Sequence, residues 1–181
     1  MQVISGVAGQ HFMQVAFMVQ DLEAACLNWV RTTGIGPFLH VPHVTLHEYA
    51  YRGEQRSGLD FSVALAQSGG VQIELIEQHC DNPSAYRDTI AVGSSGFHHL
   101  AIYTPDYDGT YRQYMDRGLV SAVDGVFGAL RFSYIDTSAE IGCMIELVEE
   151  DAAQTDFFRR VAAAAEGWDG VTDPIRPGFP I

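Results

Sequence analysis

The stretch Gln14-Val-Ala-Phe-Met-Val-Gln-Asp21 has a counterpart 85 residues later, His99-Leu-Ala-Ile-Tyr-Thr-Pro-Asp106. Both stretches resemble strands, and both end at an Asp, a residue type that favours the N-cap of a helix. An apolar stripe at helical spacing follows each Asp, again with an offset of 85 residues. The stripes consist of Leu22, Cys26, Trp29 and Val30 in the first copy and of Tyr107, Tyr111, Tyr114 and Met115 in the second. The chain therefore repeats a strand–helix unit.

A second pair of matching segments completes each copy. Ile73-Glu-Leu-Ile-Glu77 corresponds to Ile145-Glu-Leu-Val-Glu149 at an offset of 72, so the second copy is 13 residues shorter inside. In each copy, the residues between the helix and this second matching segment leave room for short strands, which we predict at 45–51, 61–66 and 130–135. Each copy is then one strand, one helix and about three further strands. The sequence predicts an α+β protein with a pseudo-twofold repeat.

The offsets also divide the chain into segments. We predict a first unit at 1–78, a linker at 79–97 and a second unit at 98–150. Gly34 and Gly118 are the predicted stop signals of the two helices. Residues 151–181 are predicted to form a C-terminal helix over 152–167 and a Pro-rich tail.

Composition excludes several chemistries. All ten basic residues are Arg, and they stand against 23 acidic residues, which gives a formal charge of −13. A Lys Schiff base, pyridoxal phosphate attachment and a Walker-type phosphate loop each need a Lys. The acidic excess disfavours nucleic acid and anionic membranes as partners, so we predict a small-molecule ligand.

Cysteine usage and hydropathy indicate the compartment. Cys26, Cys80 and Cys143 form no C-x-x-C pair, so neither a disulfide framework nor a cysteine metal site is indicated. No targeting pattern and no apolar run of membrane-spanning length occurs in the sequence. We therefore predict a cytoplasmic protein.

Four side chains occupy equivalent positions in the two copies: Gln14 and His99 in the first strands, Glu74 and Glu146 in the last. Each Glu interrupts an apolar strand, where a charge is costly unless it is paired or metal-bound. For either Glu alone, a place on the water-facing side of a strand explains the residue equally well. Together, two carboxylates, an amide oxygen and an imidazole suit a divalent ion such as Zn, Ni, Co, Mn or Mg.

These residues carry a resemblance to the vicinal oxygen chelate superfamily, the glyoxalase/bleomycin-resistance/dioxygenase proteins. The matching stretches are 14–22, 34–38, 71–75, 96–100 and 144–148, spread over residues 11–150. The resemblance implies two βαβββ modules that form a cupped mixed sheet. It also implies that Gln14, Glu74, His99 and Glu146 are the metal ligands.

Within that superfamily the chain matches no subfamily throughout. Its ligand set resembles that of some glyoxalase I enzymes, whereas residues 81–99 resemble the methylmalonyl-CoA epimerases. Many members have His where Gln14 stands, and those epimerases usually have Gln where Glu74 stands. Extradiol dioxygenases use two His and one Glu, so this chain has one His too few for their chemistry.

The implied chemistry is proton transfer at a carbon next to a carbonyl, in a glyoxalase-like lyase or isomerase or in an epimerase. The metal would stabilise an enediolate or enolate, and Glu146 would be the general base. His47 or Glu48 is predicted to line the cavity opposite Glu146 as a second acid or base. The alternative is a non-catalytic binding protein like the bleomycin-resistance members, for which a charge of −13 suits a cationic ligand.

Other histidines compete for the same roles. His11 lies an odd number of residues before Gln14, so only one of the two can face the cup, and the register favours Gln14. His98 is predicted to point away from His99 for the same reason. His40, His43 and His47 straddle Pro42 and cannot all share one face, so they form a weak candidate for a metal site.

Two further expectations concern partners. Coenzyme A and glutathione are anionic, and Arg52, Arg56 and Arg87 are the candidates near the cup that could hold such a substrate. Superfamily members commonly dimerise, which implies a homodimer. The apolar helix around Phe157 is the surface predicted to serve it.

Overall fold

The computed structural model describes residues 11–178. The first half of the chain consists of β1 (Phe12–Met18), α1 (Leu22–Thr33), β2 (Phe38–Leu46), β3 (Tyr49–Tyr51), β4 (Glu54–Arg56), β5 (Leu59–Ser68) and β6 (Val71–Gln78). After α2 (Ala85–Thr89), the second half consists of β7 (Gly96–Thr104), α3 (Tyr107–Met115), β8 (Val120–Phe127), β9 (Leu130–Asp136), α4 (Ser138–Ile141) and β10 (Met144–Glu149). The chain continues with α5 (Ala152–Ala165) and β11 (Ile175–Pro177).

The described strands form one mixed sheet in the order β11-β2-β5-β6-β1-β7-β10-β9-β8-β3-β4. β1 runs parallel to β6, β7 runs parallel to β10, and the antiparallel pair β1–β7 joins the two units. The parallel pairs share one register, because Ala16 lies opposite Glu74 and Ala101 lies opposite Glu146. The prediction of an α+β fold with two βαβββ modules in a cupped sheet is confirmed.

The caps that the sequence predicts begin the two crossover helices. The Asp21 side chain accepts a hydrogen bond from the Ala24 N–H, and the Asp106 side chain accepts one from Gly109. Gly34 ends α1 in the left-handed conformation, with φ of 74°. Each helix packs its apolar stripe against one face of its own unit, which leaves the opposite, concave face of the sheet for the cup.

The segment predicted as one strand at 45–51 contains parts of two strands that pair with different partners. β2 ends at Leu46, the chain bends at residues 47–48, and the β3–β4 hairpin pairs with β8 of the second unit. In the sequence the hairpin lies between β2 and β5, which pair directly with each other. The chain therefore crosses from one edge of the cup to the other and back again. The Arg52 guanidinium donates to Asp88 at 2.8 Å and to Asp136 at 2.6 Å, which fastens the hairpin to α2 and β9.

The C-terminal segment helps to complete the cup. α5 matches the predicted helix, and its Phe157 and Val161 are buried in the cluster on the concave face. The apolar face predicted to serve a dimer therefore packs within its own chain, because it covers the cup. β11 adds a parallel strand beside β2. Homodimer formation itself stays a prediction.

The segment predicted as a linker, 79–97, contains α2 and the first residues of β7. Ser84 caps α2 by accepting a hydrogen bond from the Arg87 N–H. Among the helices within residues 11–178, none is long and apolar enough to cross a membrane.

The apolar cluster between α3 and the sheet of the second unit offers a test of the fold. Leu147 is fully buried in the cluster that includes Tyr107 and Tyr114 of α3. We expect Leu147→Ala to lower the free energy of unfolding by about 2–5 kcal/mol, because the lost side chain leaves a cavity. Urea unfolding followed by circular dichroism measures the change. Leu27→Ala, at a position that is 44% exposed on α1, is the control and should cost much less; equal costs would contradict the described packing.

Candidate metal centre

Four neighbouring strands carry polar side chains onto the concave face. Gln14 lies on the same face of β1 as Ala16 and Met18, which belong to the concave cluster. In β10, Glu146 lies between Met144 and Val148 on that face, whereas Ile145 and Leu147 face α3. The period-two alternation of β1, β6 and β10 thus directs Gln14, Glu74 and Glu146 into the cup.

Three of these groups meet. Glu74, His99 and Glu146 each offer an atom that lies within 4.8 Å of the others. His99 Nε2 is 3.4 Å from Glu74 Oε2 and 3.2 Å from Glu146 Oε2. Gln14 is buried and lines the same cavity as the two carboxylates. The structure therefore brings the three ionisable candidates to one point and Gln14 to the same cavity.

The donor set fits a divalent cation. His99 Nε2 and Glu74 Oε2 are buried, and their 3.4 Å ion-pair contact is too long and poorly aligned to satisfy either atom as a hydrogen bond within residues 11–178. Leaving a buried polar atom unsatisfied costs about 1–3 kcal/mol, and a metal ion would satisfy both atoms at once. Two carboxylates also balance the charge of a divalent ion. Glu74, His99 and Glu146 could hold the ion, with the Gln14 amide oxygen as a fourth ligand.

When no metal is bound, the two carboxylates keep a proton on His99. Burial lowers the pKa of His99, but the adjacent Glu146 and Glu74 outweigh it and raise that pKa to about 9. Burial raises the pKa of Glu74, and the charge of Glu146 adds to the rise, while the hydrogen-bonding and charge of His99 oppose it. The imidazole therefore carries a proton between the carboxylates at neutral pH.

A β-bulge brings His98 to the same side as His99. In the β1–β7 ladder, Ala16 lies opposite His99 and Phe17 lies opposite Phe97, so His98 has no opposing residue. Both histidines are fully buried, and their Nδ1 atoms are 2.8 Å apart. The prediction that His98 points away is wrong, because the extra residue interrupts the alternation of the strand.

The contacts of His98 fix the tautomer of His99. His98 Nε2 is 2.9 Å from the Ala85 carbonyl oxygen, which can only accept, so Nε2 carries the hydrogen. Burial lowers the pKa of His98 to about 3, so this ring is neutral and its Nδ1 accepts from His99 Nδ1–H. The neutral His99 ring then has its lone pair on Nε2, directed at the carboxylates. A hydrogen-bond partner of this kind orients a metal-binding histidine.

Two buried phenols border the centre. The hydroxyl oxygens of Tyr86 and Tyr134 are 3.1 Å apart, and the Tyr134 ring contacts His99 edge-on with centroids 5.0 Å apart. Tyr134 lies directly opposite Glu146 in the β9–β10 ladder. Burial, followed by the charges of Glu74 and Glu146, raises the pKa of both phenols well above 10. Both phenols are therefore neutral hydrogen-bond donors.

The centre lies at one end of a cavity of about 420 Å³ inside the cup. α5 forms one wall through Phe157 and Phe158, and the β8–β9 turn forms another through residues 127–130. Most of the remaining lining is aliphatic or aromatic and comes from Val41, Val44, Leu46, Phe61, Val63, Leu65, Phe132 and Val148. A chamber of this composition suits a small apolar molecule.

Glu48 and His47 do not reach this cavity. Both are exposed at the bend between β2 and β3, and neither is among the lining residues. The prediction that one of them faces Glu146 is wrong, because the chain crosses there between the two edges of the cup. His11 is exposed as well. Val41, Val44 and Leu46 of β2 face the cavity instead.

The histidine-rich patch lies outside the cup. His40, His43 and His47 border an outer hollow together with Arg176. His43 pairs with Asp60 at 3.1 Å, and burial lowers the pKa of His40. In the part of the chain that the structure describes, the one group of three His, Cys, Asp or Glu side chains close enough to share an ion is Glu74, His99 and Glu146.

Sequence reasoning missed three groups that border the centre. The adjacent pair His98-His99 gave no signal of the bulge, since consecutive residues of an unbroken strand face opposite sides of the sheet. Tyr134 follows Phe132 at strand spacing, so the pattern of β9 could have assigned it to the concave face. Tyr86 comes from the segment between the units, and no repeat or spacing pointed to it.

A cupped sheet of two βαβββ modules with carboxylates and an imidazole at its centre is the architecture of the vicinal oxygen chelate proteins. The profile of the Glyoxalase/Bleomycin resistance protein/Dioxygenase superfamily matches residues 13–132. The chain belongs to this superfamily. No curated protein matches the sequence.

Solved structures share the fold at low sequence identity. A hypothetical protein from Bacillus halodurans C-125 is 13% identical, with a TM-score of 0.57 over 79% of this chain and 96% of its own. Methylmalonyl-CoA epimerase from Mycobacterium tuberculosis is 20% identical, with a TM-score of 0.52 over 86% of this chain and 97% of its own. A variant of the Streptomyces coelicolor epimerase in complex with 2-nitronate-propionyl-CoA is 20% identical, with a TM-score of 0.52 over 78% and 94%.

The contact between the two histidines predicts an effect on metal affinity. His98→Phe keeps the size of the ring but removes the acceptor for His99 Nδ1–H. We expect the affinity for Zn²⁺ to fall about 10–100-fold, as for other partners of metal-binding histidines. Competition with a chromophoric chelator measures the affinity. His47→Phe, at an exposed position, is the control, and an unchanged affinity in His98→Phe would contradict the orienting role.

Metal binding should displace the proton on His99. Because the pKa of His99 is raised to about 9, the proton occupies Nε2 at pH 7 and competes with the ion. We expect the apparent affinity for Zn²⁺ to increase as the pH rises from about 6 to about 8, with release of about one proton at pH 7. Calorimetry in two buffers of different ionisation heat counts the protons. Binding without proton release would contradict His99 as a ligand.

Proposed function

We propose that this protein is a divalent-metal-dependent lyase or isomerase, glyoxalase-like or epimerase-like, that abstracts a proton from a carbon next to a carbonyl. The observation that carries the proposal is the buried His99 Nε2 between Glu74 and Glu146, two carboxylates that line a mostly apolar cavity. Gln14, Glu74, His99 and Glu146 would hold the ion. When bound, a divalent ion supplies Lewis-acid polarisation of the substrate oxygens and stabilises the enediolate or enolate charge.

Glu146 is the proposed general base. Its side chain lines the cavity, so a carbon atom of the substrate can approach it. Its cross-strand neighbour is the phenol of Tyr134, whereas the neighbour of Glu74 is the aliphatic side chain of Leu65. The side of the cup around Glu146 is therefore better suited to receive a proton and to hold the protonated carboxyl by hydrogen bonding.

The two phenols support the same step. Tyr86 and Tyr134 line the cavity and stay protonated, because burial raises the pKa of each well above 10. One of the two hydroxyls donates to the other, so the accepting phenol keeps its own O–H free to donate to a substrate oxygen that gains negative charge as the proton leaves. The surrounding apolar side chains exclude water, which strengthens each of these hydrogen bonds.

The second candidate function is non-catalytic binding of a small molecule, as in the bleomycin-resistance members. The mostly apolar lining of the cavity favours it, since such a surface binds ligands without chemistry. Elemental analysis of protein purified without chelator separates the candidates. A stoichiometric divalent metal supports the enzyme, and the absence of metal together with no binding on titration supports the binder.

Proton abstraction can be followed on an uncharged probe. The C1 hydrogen of (R)-1-hydroxy-1-phenylpropan-2-one is bonded to a carbon that carries a hydroxyl and adjoins a ketone, so it matches the proposed chemistry. We expect the metal-loaded protein to catalyse its exchange with D₂O, and Glu146→Gln to reduce the rate about 100-fold or more. Proton NMR follows the exchange.

The control variant is Glu150→Gln, because Glu150 is exposed and lies just beyond β10. It should exchange the probe at the rate of the parent protein. Metal content is measured for both variants, so that loss of the ion is not mistaken for loss of the base. Full exchange by metal-loaded Glu146→Gln would show that another group takes the proton.

A further inference from the structure

Resting on the proposed function, we propose that the substrate is an uncharged, largely apolar compound whose oxygen atoms lie at one end. These oxygens face the metal centre, and the apolar body fills the cavity beneath α5. This substrate class differs from the coenzyme A thioesters that the related epimerases bind and from glutathione conjugates.

The polarity of the cavity has a clear direction. Gln14, Glu74, Glu146 and the two phenols gather at the inner end. Beyond them the lining is apolar as far as Asp151 and Gln154 at the start of α5. A ligand that matches this wall has its polar atoms at one end and carbon over most of its length, because each buried CH₂ contributes about 0.8 kcal/mol and each unpaired polar atom costs more.

The charge of the wall disfavours an anion. None of the cavity-lining residues within 11–178 is basic, whereas Glu74, Glu146 and Asp151 are acidic. Arg52 pairs with Asp88 and Asp136, and Arg56 pairs with Glu54. Arg87 donates to the Gln78 carbonyl at 3.5 Å and is not among the residues that line the cavity. A phosphate or carboxylate on the body of a ligand, away from the metal centre, would therefore be desolvated without a basic partner.

The volume of the chamber also favours a small, compact ligand. Its volume of about 420 Å³ lies towards the small end of ligand pockets, which extend from about 300 to 1,000 Å³. α5 closes over it, with Phe157 and Phe158 against the interior. The exposed lining residues Gly128, Ala129 and Ala153 lie where the chamber opens. A compact body fits within these walls.

Within residues 11–178, Arg176 lies outside the chamber, in the neighbouring outer hollow. The outer hollow with His40, His43, His47 and Arg176 shares Val41, Val44 and Phe127 with the cavity wall. An anionic group could reach it only from a tail that leaves the chamber. A test must therefore compare an apolar tail with a tail of equal length that ends in a carboxylate.

Three hydroxamates provide this comparison, because each binds a divalent ion through two neighbouring oxygens. Octanohydroxamate has an apolar tail, suberic acid monohydroxamate has the same carbon count with a terminal carboxylate, and acetohydroxamate has almost no tail. Calorimetry measures their affinities for Zn²⁺-loaded and metal-free protein. We expect octanohydroxamate to bind the loaded protein at least about tenfold more tightly than either of the others, and much more weakly without Zn²⁺.

The outcomes separate this inference from the function on which it rests. Equal affinities of the apolar and carboxylated tails, both dependent on Zn²⁺, would overturn the apolar substrate class and leave the metal enzyme standing. Octanohydroxamate binding that is undiminished without Zn²⁺ would overturn the orientation at the metal and the proposed enzyme together. Failure of Zn²⁺ itself to bind would do the same.

A matched pair of variants locates the ligand. Ala153 lines the cavity at the start of α5, and the adjacent Ala152 is exposed and does not line it. Ala153→Trp should weaken octanohydroxamate binding at least tenfold while acetohydroxamate binding is retained. Ala152→Trp should leave both unchanged. If the two variants behave alike, the tail does not occupy this chamber.

Discussion

Two carboxylates share one buried imidazole nitrogen, and this contact constrains the strands around it. Glu74 and Glu146 would repel each other strongly in a dry interior, so His99, or an ion in contact with all three, has to lie between them. The groups come from β6, β7 and β10, and a slip of one residue in any of these strands would turn its group to the outer face. The electrostatic requirement and the strand register therefore support each other.

The internal repeat explains why such a contact can form at all. Equivalent registers in the β1–β6 and β7–β10 pairs set Glu74 and Glu146 symmetrically about the β1–β7 junction. The chemistry nevertheless breaks the symmetry. Leu65 lies opposite Glu74, and Tyr134 occupies the equivalent position opposite Glu146. The first module thus places an aliphatic side chain beside its glutamate, and the second module places a phenol beside its own.

The sequence predicted what depends on periodicity and spacing. Offsets of 85 and 72 residues identify the modules, the helix caps and the residues that face the cup, because alternation directs side chains reliably in an unbroken strand. The predictions failed where an extra residue in a strand, or a crossing of the chain between two sheet edges, changes the direction of the backbone. The bulge at His98 and the bend at Glu48 are both cases in which tertiary pairing overrides the local pattern.

Elements outside the repeat were the least predictable. α5 was predicted as an amphipathic helix, but its periodicity does not reveal whether its apolar face meets its own cup or another chain. β8 lacks a clean alternation, since Asp124 and Gly125 interrupt it, and the Gly125 position has no space for a side chain beside Phe132. Tyr86 reaches the centre from α2, a short helix between the modules. Each of these placements depends on packing between distant segments.

The β3–β4 hairpin has a consequence for how the chain folds. Tyr49, Ala50 and Tyr51 pair with residues of β8 that follow them by about 70 positions in the chain. Contacts of such long sequence separation slow folding, because a large loop must close before they form. During synthesis, the first module would therefore present an unpaired hairpin until the second module emerges. Completion of the cup therefore requires both halves of the molecule, because β3 of the first half finds its partner strand in the second.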